Sequence, residues 1–519
     1  MTIAEPRLAV DEIQGDIVPG FKNDHQTFVF YRIVEIERAR GFFQALAPHL
    51  SSAAEVKRGN RRFSRLRREL GHDPPDVRLA WLNVALSATG LRKLTRPEDV
   101  EQFEDAHFKG GMAADAASLG DPAGSVDGWQ VGGTQHPVDA VVILADDDAA
   151  ALARREEVLD RCAGASGLVR VAAERGDVLS GALAGCEHFG FKDGISQPSI
   201  RGTEPPEDAY FTPRTIPDEP ALAAYAADFA APGSALVWPG HFLFGYGKQA
   251  DADPRVVNPD KQPIGPAWAA NGSFLVFRRL RQDVPAFEAF VTRTAAELTA
   301  SHPGTPFSPA WVAACLVGRW RSGTPLMRSP RADLAMAADA TNYFRFDEAA
   351  PGPLPGDPGP LAGVDGGGDV CPVAAHIRKV NPRDGTTDLG GAGRTVPRLI
   401  LRRGISYGPP FEAGDPASAA RDRGLLFVCF QSSIHDQFSF LTRRWANQDD
   451  RPMHEGVTGH DAIIGATSGT RTFTFAVADP PERKDLPAPW VVATGGEYLF
   501  APSIRFFRET LATFAPRGA

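Results

Sequence analysis

Three short stretches carry residues that could do chemistry together. The first is CPVAAHIRKVNPRD, residues 371–384, where His376 is followed by Arg378, Lys379 and Arg383. His376 can be read as an ordinary structural histidine, but a lone imidazole among cations also suits a haem-iron ligand beside two negative propionates. Cys371 and His376 could form half of a zinc site, but no second Cys/His pair follows at ligand spacing. The second is HFGFKDGISQPSI, residues 188–200, in which Asp193 lies between Gly190 and Gly194 and among Phe189 and Phe191. Asp-Gly is a common turn, yet glycines also let a loop approach a flat cofactor without steric conflict. The third is LILRRGISYG, residues 399–408, where apolar residues lead into Arg402 and Arg403. An arginine at the mouth of an apolar pocket can stabilise a developing anion.

These residues need elements to hold them. Four segments share one form: an apolar strand, a polar corner, then an amphipathic helix. They are RLAWLNVALSATGLRKL with Ser87 and Thr89, and VDAVVILADDDAAALARREEVLDR with Asp146 to Asp148. GSFLVFRRLRQDVPAFEAFVTRTAAEL follows with Asp283, then GLLFVCFQSSIHDQFSFLTRRW with Ser432 and Ser433. The polar corners are candidate helix N-caps. Two units precede residue 200 and two follow 270, which predicts an α+β chain of two ferredoxin-like halves. The halves are expected over 1–215 and 216–519. Residues 202–237, rich in Pro and acids, are the expected link, and residues 349–370, mostly Pro, Gly, Ala and Asp, an irregular loop.

Composition narrows the function classes. At 519 residues the chain exceeds one ordinary core. A net charge of −9 argues against a general nucleic-acid or anionic-membrane binder. No apolar run reaches a membrane span, and the N-terminal stretch has early acids and no apolar signal core. Five scattered cysteines read as reduced thiols, so a cytoplasmic location is expected.

Taken in order, these stretches resemble the dye-decolorizing peroxidase family of haem proteins, in its longer-chain branch. The family's Gly-x-x-Asp-Gly motif stands here as Gly190 to Gly194. IQGDIVPGFK, LNVALSATGL, PGHFLFGY, NGSFLVFRRLRQD, LVGRWRSGTPL, QFSFLTRRW and GGEYLFAPS extend the likeness over nearly the whole chain. His241 in PGHFLFGY and the stretch NYFRFDE depart from the family's usual residues.

The resemblance implies two ferredoxin-like modules, antiparallel sheets with helices, and one haem b per chain held mainly by the C-terminal module. It implies His376 as the iron ligand, Asp193 as the distal acid–base residue and Arg402 as the distal arginine. Gly194, Ile195 and Ser196 match the loop along the haem; Asn381, Pro382 and Arg383 match the segment after the ligand. Leu425 and Phe427 match the apolar distal wall. Asp461 is a candidate carboxylate on the proximal imidazole. Tyr407 and Trp445 match oxidisable surface aromatics that would accept electrons from bulky donors, unless they simply pack between helix and sheet. The expected reaction reduces hydrogen peroxide and oxidises dyes, phenols or other one-electron donors through a ferryl state. A carboxylate base works down to about pH 4, so the expected optimum is acidic. The alternative is a haem-binding protein for storage, sensing or transfer, which would need His376 but not Asp193 and Arg402.

Overall fold

The computed structural model describes residues 5–514 apart from 75, 204–231, 252, 335, 337–340, 349–362, 453–458 and 478–480. Most of the expected link and most of the Pro/Gly-rich loop lie outside the described residues. The described end of that loop is packed, because buried Asp365 pairs with buried Arg378 at 2.9 Å.

All four strand–helix units form, and each helix starts at an expected cap. Strand β2 (Ala80–Ser87) leads into α3 (Ala88–Leu94), with Ser87 accepting from Gly90 N–H. Strand β3 (Ala140–Asp146) leads into α4 (Ala149–Ala165), capped by Asp148 on Ala151 N–H. Strand β5 (Ser273–Gln282) leads into α5 (Val284–Ser301), capped by Asp283 on Ala286 N–H. Strand β8 (Gly424–Gln431) leads into the wide-turned helical segments Ile434–Ser439 and Leu441–Ala446, the first capped by Ser433. Each cap satisfies one otherwise orphaned amide.

Five more strands complete one 9-stranded sheet. They are β1 (His25–Ile33), β4 (Leu168–Asp177), β6 (Leu401–Arg402), β7 (Ile405–Tyr407) and β9 (Val491–Ala501). The order is β6-β8-β5-β9-β2-β3-β1-β4, with β7 also on β8. Within each half the order is second, third, first, fourth strand, the arrangement of a ferredoxin-like module. The halves join where β9 pairs with β2, Leu499 opposite Ser87 and Phe500 opposite Leu86. The far edges approach as well: a side chain at Gly176 of β4 would strike Ile405 of β7.

Alternation along the strands splits the core. Val29 and Tyr31 of β1, with Phe274 and Val276 of β5, face one apolar layer that includes α1 (Ile36–Leu46) and α3. Phe28, Phe30, Leu275 and Phe277 face the layer inside the curled sheet. A third layer joins α5 to α6 (Pro309–Val317), and Phe189 of the Asp193 loop stacks on Phe287 there, ring centroids 4.5 Å apart. That contact ties the loop to the C-terminal half. Among the described residues no helix is long and apolar enough to cross a membrane.

Candidate active site

A cavity of about 1490 Å³ opens beside this third layer. Asp193, Gly194, Ile195, Ser196, His376, Asn381, Arg383, Arg402, Leu425 and Phe427 all line it. Pro382 does not.

The Asp193 loop is a tight hairpin. Cys186 bridges to Lys192, and Gly190 and Gly194 take φ of 87° and 75°, values that favour glycine. Half-buried Glu187 accepts from the amides of Phe189 and Phe191 at 2.9 and 3.0 Å. Burial holds the Glu187 carboxyl above its ordinary range. Asp193 Oδ1 accepts from Gly194 N–H at 2.6 Å and from Arg402 Nη1 at 2.9 Å. Arg402 also donates from Nη2 to the carbonyl of Ser196 at 3.1 Å. The expected pair is therefore in direct contact, and both side chains are partly exposed.

His376 opens the short helix α7 (His376–Val380). Its Nδ1 lies 2.8 Å from Oδ2 of Asp461, which is buried. Asp461 Oδ1 accepts from the amides of Ile463 and Ile464 at 2.9 and 3.0 Å. Burial pushes the Asp461 carboxyl up, but His376 and these amides outweigh it and hold it below the ordinary range. With Nδ1 engaged, Nε2 is the ring nitrogen left for a ligand.

Two of the cations that single out His376 in the sequence turn away from the cavity. Arg378 is spent on Asp365. Lys379 donates to the carbonyls of Gln448, at 2.7 Å, and Gly459. Arg383 does face the cavity, and the second cation is one that sequence reasoning missed, Arg319. Arg319 Nη2 donates to Ser196 Oγ at 2.8 Å and Arg383 Nη2 does so at 3.2 Å. Both reach Asn342 Oδ1 as well, and the Arg383 guanidinium lies 3.9 Å from the Phe344 ring centre. Burial pushes Arg319 down to about 9, with Arg383 adding to the effect, and pushes Arg383 down to about 10. Neither forms an ion pair with a carboxylate among the described residues. Arg319 stands in the stretch LVGRWRSGTPL, but Ser196 and Asn342 are 123 and 23 residues from it, so spacing gave no signal.

Tyr407 and Trp445 are not surface residues. Trp445 is 0% exposed, and its Nε1 donates to Asp388 Oδ1 at 3.3 Å. Tyr407 is 5% exposed, with its hydroxyl between Arg279 and Asp422. The expectation of exposed aromatics gives way to the alternative of packing. Tyr407 packs into the layer inside the curled sheet, and Trp445 points inward from its helical segment. His241 is buried too; burial pushes its imidazole well down, and Nε2 accepts from Gln249 N–H at 3.3 Å.

Known proteins resemble this chain in sequence and in fold. Residues 12–178 match the family model "DyP dimeric alpha+beta barrel domain", and residues 328–457 match "Dyp-type peroxidase, C-terminal". Dye-decolorizing peroxidase msp1 of Mycetinis scorodonius is 30% identical over 97% of this chain and 88% of its own. Dye-decolorizing peroxidase AauDyP1 of Auricularia auricula-judae is 31% identical over 97% and 87%. The solved structure of an ancestral D-type dye-decolorizing peroxidase superposes with a TM-score of 0.78 at 32% identity, covering 98% of this chain and all of that one. Likeness of this extent, in sequence and in fold, settles the family: the chain belongs to the dye-decolorizing peroxidases and is a haem-dependent oxidoreductase that acts on peroxide.

Proposed function

We propose that the cavity holds one haem b per chain, with His376 Nε2 on the iron and Arg319 and Arg383 on the propionates. The chemistry of the donors supports this reading. Two buried guanidiniums that form no ion pair with a carboxylate among the described residues, both depressed by burial, suit two anionic groups brought by a ligand. An imidazole fixed through Nδ1 by a buried carboxylate is an oriented iron ligand. Leu425, Phe427, Ile195 and Phe344 supply apolar wall for a flat ring.

When bound, the haem supplies the iron that takes up peroxide's oxidising equivalents and passes them to one-electron donors. Asp193 is then the acid–base residue. Its Oδ1 is held by Gly194 and Arg402, and its Oδ2 takes no hydrogen bond among the described residues. Oδ2 accepts the proton from incoming peroxide and returns it to the oxygen that leaves as water. Arg402 orients Asp193 and stabilises the charge that builds on the departing oxygen. The contact between Asp193 and Arg402 in the same cavity as His376 carries this reading.

Reductants are dyes, phenols and similar small donors in this proposal; exposed Arg443 at the cavity mouth suits anionic ones. A module boundary near 215 fits the strand order within each half. Five unpaired cysteines support a reducing, cytoplasmic setting. The test is haem content per chain and peroxide-driven dye oxidation by the purified protein. One haem per chain and dye oxidation that Asp193→Asn abolishes are expected. Full activity in Asp193→Asn overturns the assignment.

A further inference from the structure

A line of hydrogen bonds leaves the cavity at His435. His435 is exposed and lines the cavity. Its Nδ1 lies 3.2 Å from His107 Nε2. The ring planes differ by 22° and the centroids are 5.4 Å apart, so the imidazoles lie end to end and nearly coplanar. That is the geometry of an in-plane N–H···N bond, not of stacked faces. His107 Nδ1 lies 2.8 Å from Asp115 Oδ2. The same oxygen accepts from the hydroxyl of Tyr498, on β9, at 2.8 Å. Ser118 holds the other oxygen of Asp115 at 2.6 Å.

The line ends blind. Tyr498 is 0% exposed. A relay open to water at one end and closed by a phenol at the other cannot conduct protons through. It can only empty and refill the phenol. Burial and the neighbouring Asp115 push the Tyr498 phenol well up, so it does not ionise as an acid. Burial raises the Asp115 carboxyl, but bonds from His107, Ser118 and Tyr498 outweigh this and bring it down to about 2. The base beside the phenol is thus already ionised. Such a phenol releases its proton when it loses an electron.

An electron route is present on the same side chain. The Tyr498 ring meets Phe438 edge-on at 6.3 Å, and Phe438 lines the cavity. Phe427, also in the wall, is 6.1 Å from Phe438. Tyr498 therefore stands one ring behind the cavity wall, whereas its hydroxyl points into the relay.

We propose that Tyr498 is a redox-active tyrosine of this cavity, giving one electron to the peroxide-oxidised haem while its proton passes to the Asp115–His107 pair. The O–H bond of Tyr498 breaks. The electron removes one oxidising equivalent from the cofactor. The proton goes to Asp115 Oδ2, so the Asp115–His107 pair gains one positive charge, which the contact of His107 with His435 at the cavity mouth helps to stabilise. A phenoxyl radical remains; the next one-electron donor reduces it and the proton returns. The proposal rests on haem occupying the cavity.

The experiment is rapid-freeze electron paramagnetic resonance of the haem-loaded protein after one equivalent of peroxide. A tyrosyl signal that narrows on incorporation of ring-deuterated tyrosine is expected. It is lost in Tyr498→Phe and kept in Tyr407→Phe. His435→Gln, a change at an exposed position, slows its appearance. A tyrosyl signal of wild-type intensity in Tyr498→Phe overturns the proposal. So does its loss in Tyr407→Phe, its absence from wild-type protein that reacts with peroxide, or its appearance at the wild-type rate in His435→Gln. Protein with no haem absorption band would sink the cavity reading instead.

Discussion

Gln197 grips the peptide of Arg402 from both sides, its Nε2 donating to the Arg402 carbonyl and its Oε1 accepting from the Arg402 amide, each at 3.1 Å. Gln197 belongs to the Asp193 loop, so one segment carries the carboxylate and also fixes the backbone of its arginine. The side chains meet at 2.9 Å. Asp193 and Arg402 therefore act as a unit, which sets the first expectation. Asp193→Asn and Arg402→Leu each retain haem, and each reacts with peroxide about 100- to 1,000-fold more slowly. The double variant loses far less than the product of the two, as expected of coupled groups. Stopped-flow absorbance after mixing with peroxide measures this. Rates near wild type in both single variants contradict the mechanism.

Arg319 and Arg383 should decide how firmly haem is held. A charged hydrogen bond is worth about 1.5–3 kcal/mol, so Arg319→Gln and Arg383→Gln should each weaken haem retention by roughly 10- to 100-fold. Transfer of haem to excess apomyoglobin reads the loss rate. Unchanged transfer in both variants would place the propionates elsewhere.

Asp461→Asn keeps the shape of the side chain but removes the charge behind His376. Carboxylates behind a ligating histidine commonly contribute 10- to 100-fold in metal affinity. Faster haem loss and a raised iron reduction potential are expected. A potential and a loss rate equal to wild type would show that Asp461 does no more than cap the turn at Ile463 and Ile464.

Two buried acids should each stabilise the fold more as the medium turns mildly acidic. Burial pushes the carboxyl of Asp16 up to about 7, against smaller opposing effects of local amides and Arg403. Burial likewise pushes Glu497 up to about 7, partly offset by the amides of Met112 and Tyr498. For an acid whose folded value exceeds its unfolded one, the folded state binds more protons in the window between the two. The contribution of these two acids to the unfolding free energy therefore falls as pH rises from about 4 to 7, with a slope of at most about 1.4 kcal/mol per pH step for each. Asp16→Asn should raise the thermal midpoint at pH 8 by more than at pH 5. An equal shift at the two pH values, or a larger one at pH 5, contradicts this assignment.

Much of this architecture is legible in the sequence because its signals are local. Ser87, Asp148, Asp283 and Ser433 each sit beside the amide they cap. The units of β1 with α1 and of β9 with Phe506–Thr510 are harder to read. Glu35 makes no side-chain cap, and two glycines, Gly495 and Gly496, break the apolar alternation of β9. The joining of the two halves depends on β2–β9 pairing across roughly 400 residues, which no local pattern announces. The same holds in the site. Asp193, His376 and Arg402 stand in short distinctive stretches. Arg319 acquires its meaning from Ser196 and Asn342, Trp445 from Asp388, and Tyr498 from Asp115 and His107. Arg378 and Lys379 show the converse, since cations adjacent in sequence to His376 are turned to other partners.

The central claim is that His376 holds the haem iron, and the absorption spectrum of His376→Ala tests it most directly. The predicted result is protein that folds but carries little haem, or carries it with a shifted Soret band and altered spin state, and that regains a wild-type-like spectrum when imidazole is added. A His376→Ala protein with full haem content and the wild-type Soret band and spin state would contradict it.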